Sequence, residues 1–147
     1  MRSTGSPDPA TSRIDHLVVA ANDLDTGAAW LQDRLGVPLA VGGQHAVMGT
    51  HNRLLRLGPQ LYLELIAIDP AAPPPGRRRW FGLDDPALQA RLAARPHLIH
   101  WVARCADMPG DPGMEILDMS RGDFHWRIRV TADGRLPGDG LIPSLIQ

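Results

Sequence analysis

Two strand-like segments constrain the fold more than any other feature of this chain. Ile14-Asp15-His16-Leu17-Val18-Val19-Ala20 can be laid without a gap on Leu98-Ile99-His100-Trp101-Val102-Ala103-Arg104, and the histidines coincide. A short polar stretch follows each segment, Asn22-Asp23-Leu24 in one case and Ala106-Asp107-Met108 in the other. A strand repeated with its polar residue in the same place points to a duplicated module. The 147 residues fit one domain built from two such units.

The first unit reads in full. Arg13 to Ala20 has the length and β-branched content of a buried strand. Asn22 or Asp23 caps a helix in which Leu24, Ala28, Leu31 and Leu35 recur at helical spacing, until Gly36 and Pro38 end it. Leu39 to Val41, Asn52 to Leu57 and Leu61 to Ile68 read as strands, parted by Gly42-Gly43 and Gly58-Pro59. The pattern predicts a β-α-β-β-β module over about residues 13–68. A Pro-rich linker and a short helix opened by Asp85-Pro86 follow, over 69–96.

The second unit, over 97–147, departs from the first. Pro109, Gly110, Pro112 and Gly113 stand where a helix is expected. Phe124 to Val130 alternates as a strand, and the chain stops after Leu141 to Gln147. The expectation is therefore an α+β fold with a curved mixed sheet whose second module is incomplete. Met1 to Ser12 reads as a frayed tail, neither a signal peptide nor a membrane span.

Composition narrows the chemistry. All 15 basic residues are Arg, so Schiff-base chemistry and a P-loop lysine are excluded. A net charge of -1 gives no general pull toward nucleic acid or anionic membrane. The single Cys105 excludes an intrachain disulfide and suits a cytoplasmic protein; no base stands beside it to activate it. No Gly-x-Ser-x-Gly elbow occurs.

His16, Glu64 and His100 carry most of the remaining potential. Glu64 stands inside the apolar run Leu61 to Ile68, where a carboxylate needs a cation, a proton or several donors. On the concave face of one sheet, two imidazoles and a carboxylate suit a divalent ion such as zinc, iron, manganese or nickel. The alternatives are core histidines, and a Glu64 that faces solvent or pairs with Arg53 or Arg56. His51 and Asn52 are placed to hydrogen-bond a substrate, whereas His45 reads as part of a hairpin connection. Trp101, Trp126, Tyr62 and Met48 are candidate pocket walls, and Arg77-Arg78-Arg79 is either an anion clamp or a solvated basic run.

The segments IDHLVVAANDLD, GGQHAVMGTHNRLLRLG, LYLELIAID, LIHWVAR and SRGDFHWRIRVTADGRLPGDGLIPSLIQ, in that order, resemble the glyoxalase-like domain proteins of the vicinal oxygen chelate superfamily. The resemblance runs from Ile14 to the end. It implies a metal that chelates two neighbouring substrate oxygens, in an isomerase, lyase or extradiol dioxygenase acting on a small oxygenated molecule. It further implies His16, Glu64 and His100 as metal ligands, with Glu64 also catalytic and His51, Asn52 and Trp101 near the substrate. The second-module glutamate has no counterpart, because Glu115 lies in a Pro/Gly-rich segment. That gap keeps open a non-catalytic binding protein of the same fold, akin to drug-binding resistance proteins. Proteins of this group continue past the equivalent of Gln147, so the chain reads as truncated or as completing its sheet in a homodimer.

Overall fold

The computed structural model describes residues 12–147; all but the last residue of the expected tail lies outside the described residues. Strand β1 (Arg13–Ala20) leads into helix α1 (Leu24–Leu35), then β2 (Ala40–His45), β3 (Thr50–Arg56) and β4 (Tyr62–Ile68). Helix α2 (Pro86–Ala94) precedes β5 (His97–Arg104), β6 (Met114–Arg121), β7 (Phe124–Thr131) and the three-residue β8 (Ser144–Ile146). All eight strands form one mixed sheet in the order β2-β3-β4-β1-β5-β8-β7-β6.

That order is two copies of one motif joined back to back. In each module the last strand lies parallel to the first, β4 on β1 and β8 on β5, and β1 pairs with β5 antiparallel at the join. The second module therefore has a full set of strands, contrary to the expectation of an unfinished one. What it lacks is the helix, and its last strand is short. Glu115 falls in β6 rather than in a loop: the turns at Gly113 and Gly122 set the strand's ends.

Helix α1 forms where the periodicity placed it. Asp23 accepts the Thr26 N–H at its start and Gly36 ends it in the left-handed conformation. Its buried face, Leu24 and Leu31, packs with Val19, Leu65 and Ala67 on the convex side of the sheet. The concave side holds the larger core of Val18, Ile66, Val102, Ile128 and Val130. The segment after β4 crosses this side and drops Trp80, Phe81 and Leu83 into it. Residue alternation along β1 thus sends Val18 and Ala20 to one core and Val19 to the other.

Candidate functional site

The polar residues of the first module meet on the concave face. Val18 pairs with Glu64 across the parallel β1–β4 ladder, which brings His16 Nε2 to 3.5 Å from Glu64 Oε2. His16 stacks on Tyr62 of β4 at 4.6 Å between ring centroids. A β-bulge interrupts β1 between Ile14 and His16. The extra residue, Asp15, is thereby buried beside His16 instead of facing away from it. Asp15 Oδ1 lies 2.7 Å from His16 Nδ1, and Asp15 Oδ2 accepts from Arg104 Nε at 2.7 Å.

On the far side of Glu64, Asn52 Nδ2 donates to Oε1 at 2.7 Å, and His45 Nε2 lies 4.0 Å away. Asn52 is oriented by its own carbonyl, which accepts the Gly43 N–H at 2.8 Å. Its second amide hydrogen faces His45 Nε2 at 3.4 Å, leaving His45 Nδ1–H for Thr50 Oγ1 at 3.0 Å. The Gly42-Gly43 stretch is a bulge inside β2, not its end. A Cβ at Gly42 would sit 2.0 Å from Asn52 Oδ1 and 2.5 Å from its carbonyl oxygen. Gly42→Ala is therefore expected to cost about 1 to 3 kcal/mol by overpacking and to expel the Asn52 amide from Glu64. A lowered urea midpoint together with a shifted Asn52 side-chain resonance checks this.

The row Arg104–Asp15–His16–Glu64 alternates in charge. Burial would lower His16, but its hydrogen bonds to Asp15 and Glu64 raise it to about 9, so it is an imidazolium held tightly at Nδ1, 2.7 Å from Asp15, and loosely at Nε2, 3.5 Å from Glu64. Burial would likewise raise Glu64, yet His16, His45 and Asn52 hold it down at about 2. Asp15 is lowered because His16 and Arg104 outweigh its burial. His45 is lowered, mainly by burial, and is neutral near pH 7.

The second module repeats the register of the first. Val102 pairs with Ser144 on β8 as Val18 pairs with Glu64 on β4. Ser144 thus occupies the place of the missing glutamate. His100 Nε2 accepts the Ser144 N–H at 3.2 Å and stands 3.0 Å from its Oγ. Burial pushes His100 down to about 4.

Of the three residues expected as metal ligands, His16 and Glu64 face one another at 3.5 Å, while His100 Nε2 accepts the Ser144 N–H. Among the described residues no three His, Cys, Asp or Glu are placed to hold an ion. Strand alternation sets two further residues named from the sequence apart from the His16–Glu64 row. His51 lies beside Asn52 on β3 and turns the other way, its Nδ1 4.0 Å from Asp69. Trp101 turns away from His100 and donates to the Leu141 carbonyl at 3.2 Å. His45 is the residue the sequence reading missed: its ring meets Trp80 and Trp126 edge-on at 5.0 and 6.5 Å.

The family model described as the glyoxalase-like domain matches residues 14–147. The chain belongs to the glyoxalase-like domain family. The match covers the modules on both sides of the β1–β5 join, and the resemblance to glyoxalase-like domain proteins is borne out. Among solved structures, methylmalonyl-CoA epimerase from Mycobacterium tuberculosis is 19% identical with a TM-score of 0.54, over 98% of this chain and 92% of that one. A variant of the Streptomyces coelicolor methylmalonyl-CoA epimerase, in complex with 2-nitronate-propionyl-CoA, is 22% identical at 0.57, over 91% and 95%. A hypothetical protein from Staphylococcus aureus is 16% identical at 0.60, over 93% and 58%. At these identities the likeness is one of fold. No curated protein matches the chain. Within this glyoxalase-like domain no helix of the described residues is long and apolar enough to cross a membrane.

Proposed function

We propose that this glyoxalase-like protein is an isomerase- or lyase-type enzyme that moves a proton on a small oxygenated molecule, with His16, Glu64 and His45 as its reactive row. The observation that carries this is one buried carboxylate, Glu64, flanked by two buried histidines, His16 Nε2 at 3.5 Å and His45 Nε2 at 4.0 Å, whose surroundings raise the one and lower the other. Environments that drive two titratable groups apart assign the acid and the base. His16, raised to about 9, is the proton donor. His45 is the acceptor through Nε2, which the Asn52 amide approaches only at 3.4 Å, while its Nδ1 lies 3.0 Å from Thr50 Oγ1. Glu64, at about 2, is too weak a base for either task near neutrality. It keeps His16 charged and fixes Asn52, which in turn orients His45. The fold is shared with proteins named as epimerases, which agrees with proton-transfer chemistry.

Ring-nitrogen NMR tests the assignment without a substrate. His16 is expected to stay an imidazolium through pH 7.5 and His45 to stay neutral; both rings titrating together near 6.5 would overturn it. Deuterium uptake from solvent into small oxo acids and hydroxy-aldehydes, lost in His45→Gln, would then identify the substrate class.

A divalent ion is the second reading. It is favoured by the 3.5 Å approach of His16 to Glu64 and by Asp15 on His16 Nδ1, the outer carboxylate that a metal-bound imidazole carries. It requires His100 to leave Ser144, and equilibrium dialysis with zinc, iron, manganese or nickel discriminates it. The lone Cys105 supports a cytoplasmic location, and exposed Leu98, Leu141 and Ile142 support a homodimer.

A further inference from the structure

At the end of the sheet where Asp15 and Tyr62 reach the surface, a cavity of about 390 Å³ is lined by arginines from three strands: Arg13 of β1, Arg56 of β3 and Arg104 of β5. Arg13 and Arg104 stand directly opposite one another in the antiparallel β1–β5 ladder. Like charges in that position repel. Arg56 is the cross-strand partner of Tyr62, whose ring covers His16. The single carboxylate in the lining is Asp15, and it is already shared between Arg104 Nε and His16. Arg56 Nε donates to the Gly58 carbonyl at 3.0 Å, which holds the side chain over the cavity, and among the described residues its terminal nitrogens have no hydrogen-bond partner. The larger cavity beside α2, about 850 Å³, is different in kind: four arginines there meet four aspartates.

We propose that the Arg13–Arg56–Arg104 cavity binds an oxyanion, the phosphoryl or carboxylate group of a small molecule. Guanidinium forks reaching in from three strands match the several oxygens of such a group and relieve the Arg13–Arg104 repulsion. Asp15 and Tyr62 line the cavity and each contacts His16 on its other side, so an anchored ligand is one side chain away from the proposed proton donor. The assignment deepens the proton-transfer reading by giving the substrate a negative charge, and rests on that reading only for calling the ligand a substrate.

The test is calorimetric titration of the full chain with pyrophosphate, and separately with citrate, at fixed ionic strength. Saturable one-to-one binding of at least one is expected, weakened about ten-fold or more in Arg13→Ala and in Arg56→Ala and unchanged in Arg127→Ala on β7. The stronger of the two titrants identifies the group as phosphoryl or carboxylate. No saturable binding of either, or equal affinity in all three variants, would overturn the proposal. Neither result bears on the ring protonation states of His16 and His45, so the two readings fail separately.

Discussion

Glu64→Ala is expected to destabilise the protein by about 3 to 5 kcal/mol at pH 6, the cost of breaking a buried ion pair from one side. Glu64 is 5% exposed, and three groups depend on it: His16 loses the partner of Nε2, Asn52 loses its acceptor, and His45 loses its nearest charge. The imidazolium has one escape, to release its proton, and this bounds the penalty. The difference between wild type and variant should therefore shrink as pH rises through 9, where His16 of the wild type gives up its proton. Glu64→Gln keeps the volume and an oxygen for Asn52, so a smaller loss is expected there. Urea unfolding at pH 6 and pH 9.5 checks all three statements. A loss below about 1 kcal/mol, the level of an exposed ion pair, would remove Glu64 from the centre of the site.

What the sequence could show of this site depended on regular alternation. His16 and Glu64 were legible because each is a polar residue inside an otherwise apolar strand, and Val18 and Ala20 follow the period that places His16 on the concave face. Asp15 was not legible: a strict period of two points it away from His16, and only the bulge in β1 turns it inward. The same device hid His45. Gly42-Gly43 reads as a turn in sequence, whereas in the structure it lets β2 bend past the Asn52 side chain and carry His45 to Glu64. The available signal was the hairpin itself, since Gln44-His45 and Thr50-His51 are cross-strand neighbours. Ser144 lay in a segment too short to show a period. Its equivalence to Glu64 emerges from ladder register alone, because no residue pattern distinguishes a three-residue strand from a turn. The helices and most strands were set by local rules, caps and hydrophobic repeats; the site was set by the exceptions to them.

Those exceptions also fix how stability should vary with pH. His16 has its folded value raised from 6.5 to about 9. The stabilisation it brings is complete below 6.5 and is lost as pH climbs toward 9, on the order of 3 kcal/mol from a shift of that size. His100 has the opposite sign. It is depressed from 6.5 to about 4, so the unfolded chain takes up a proton that the folded one refuses, and stability falls as pH drops from 6.5 to 4. Glu64, depressed from 4.5 to about 2, extends the acid loss below 4.5. Its shift and that of His16 record one shared interaction and are not added. The expected profile is a maximum near pH 6.5 with a separate cause for each limb. Urea midpoints measured from pH 4 to 9.5 should show it, and single substitutions should dissect it. His16→Gln flattens the alkaline limb and the part below 4.5 that Glu64 owes to it, leaving the fall between 6.5 and 4, while His100→Gln removes that fall and leaves the alkaline limb. An alkaline limb that survives in His16→Gln would mean that the charged row through Asp15 and Glu64 is not what holds the concave face together.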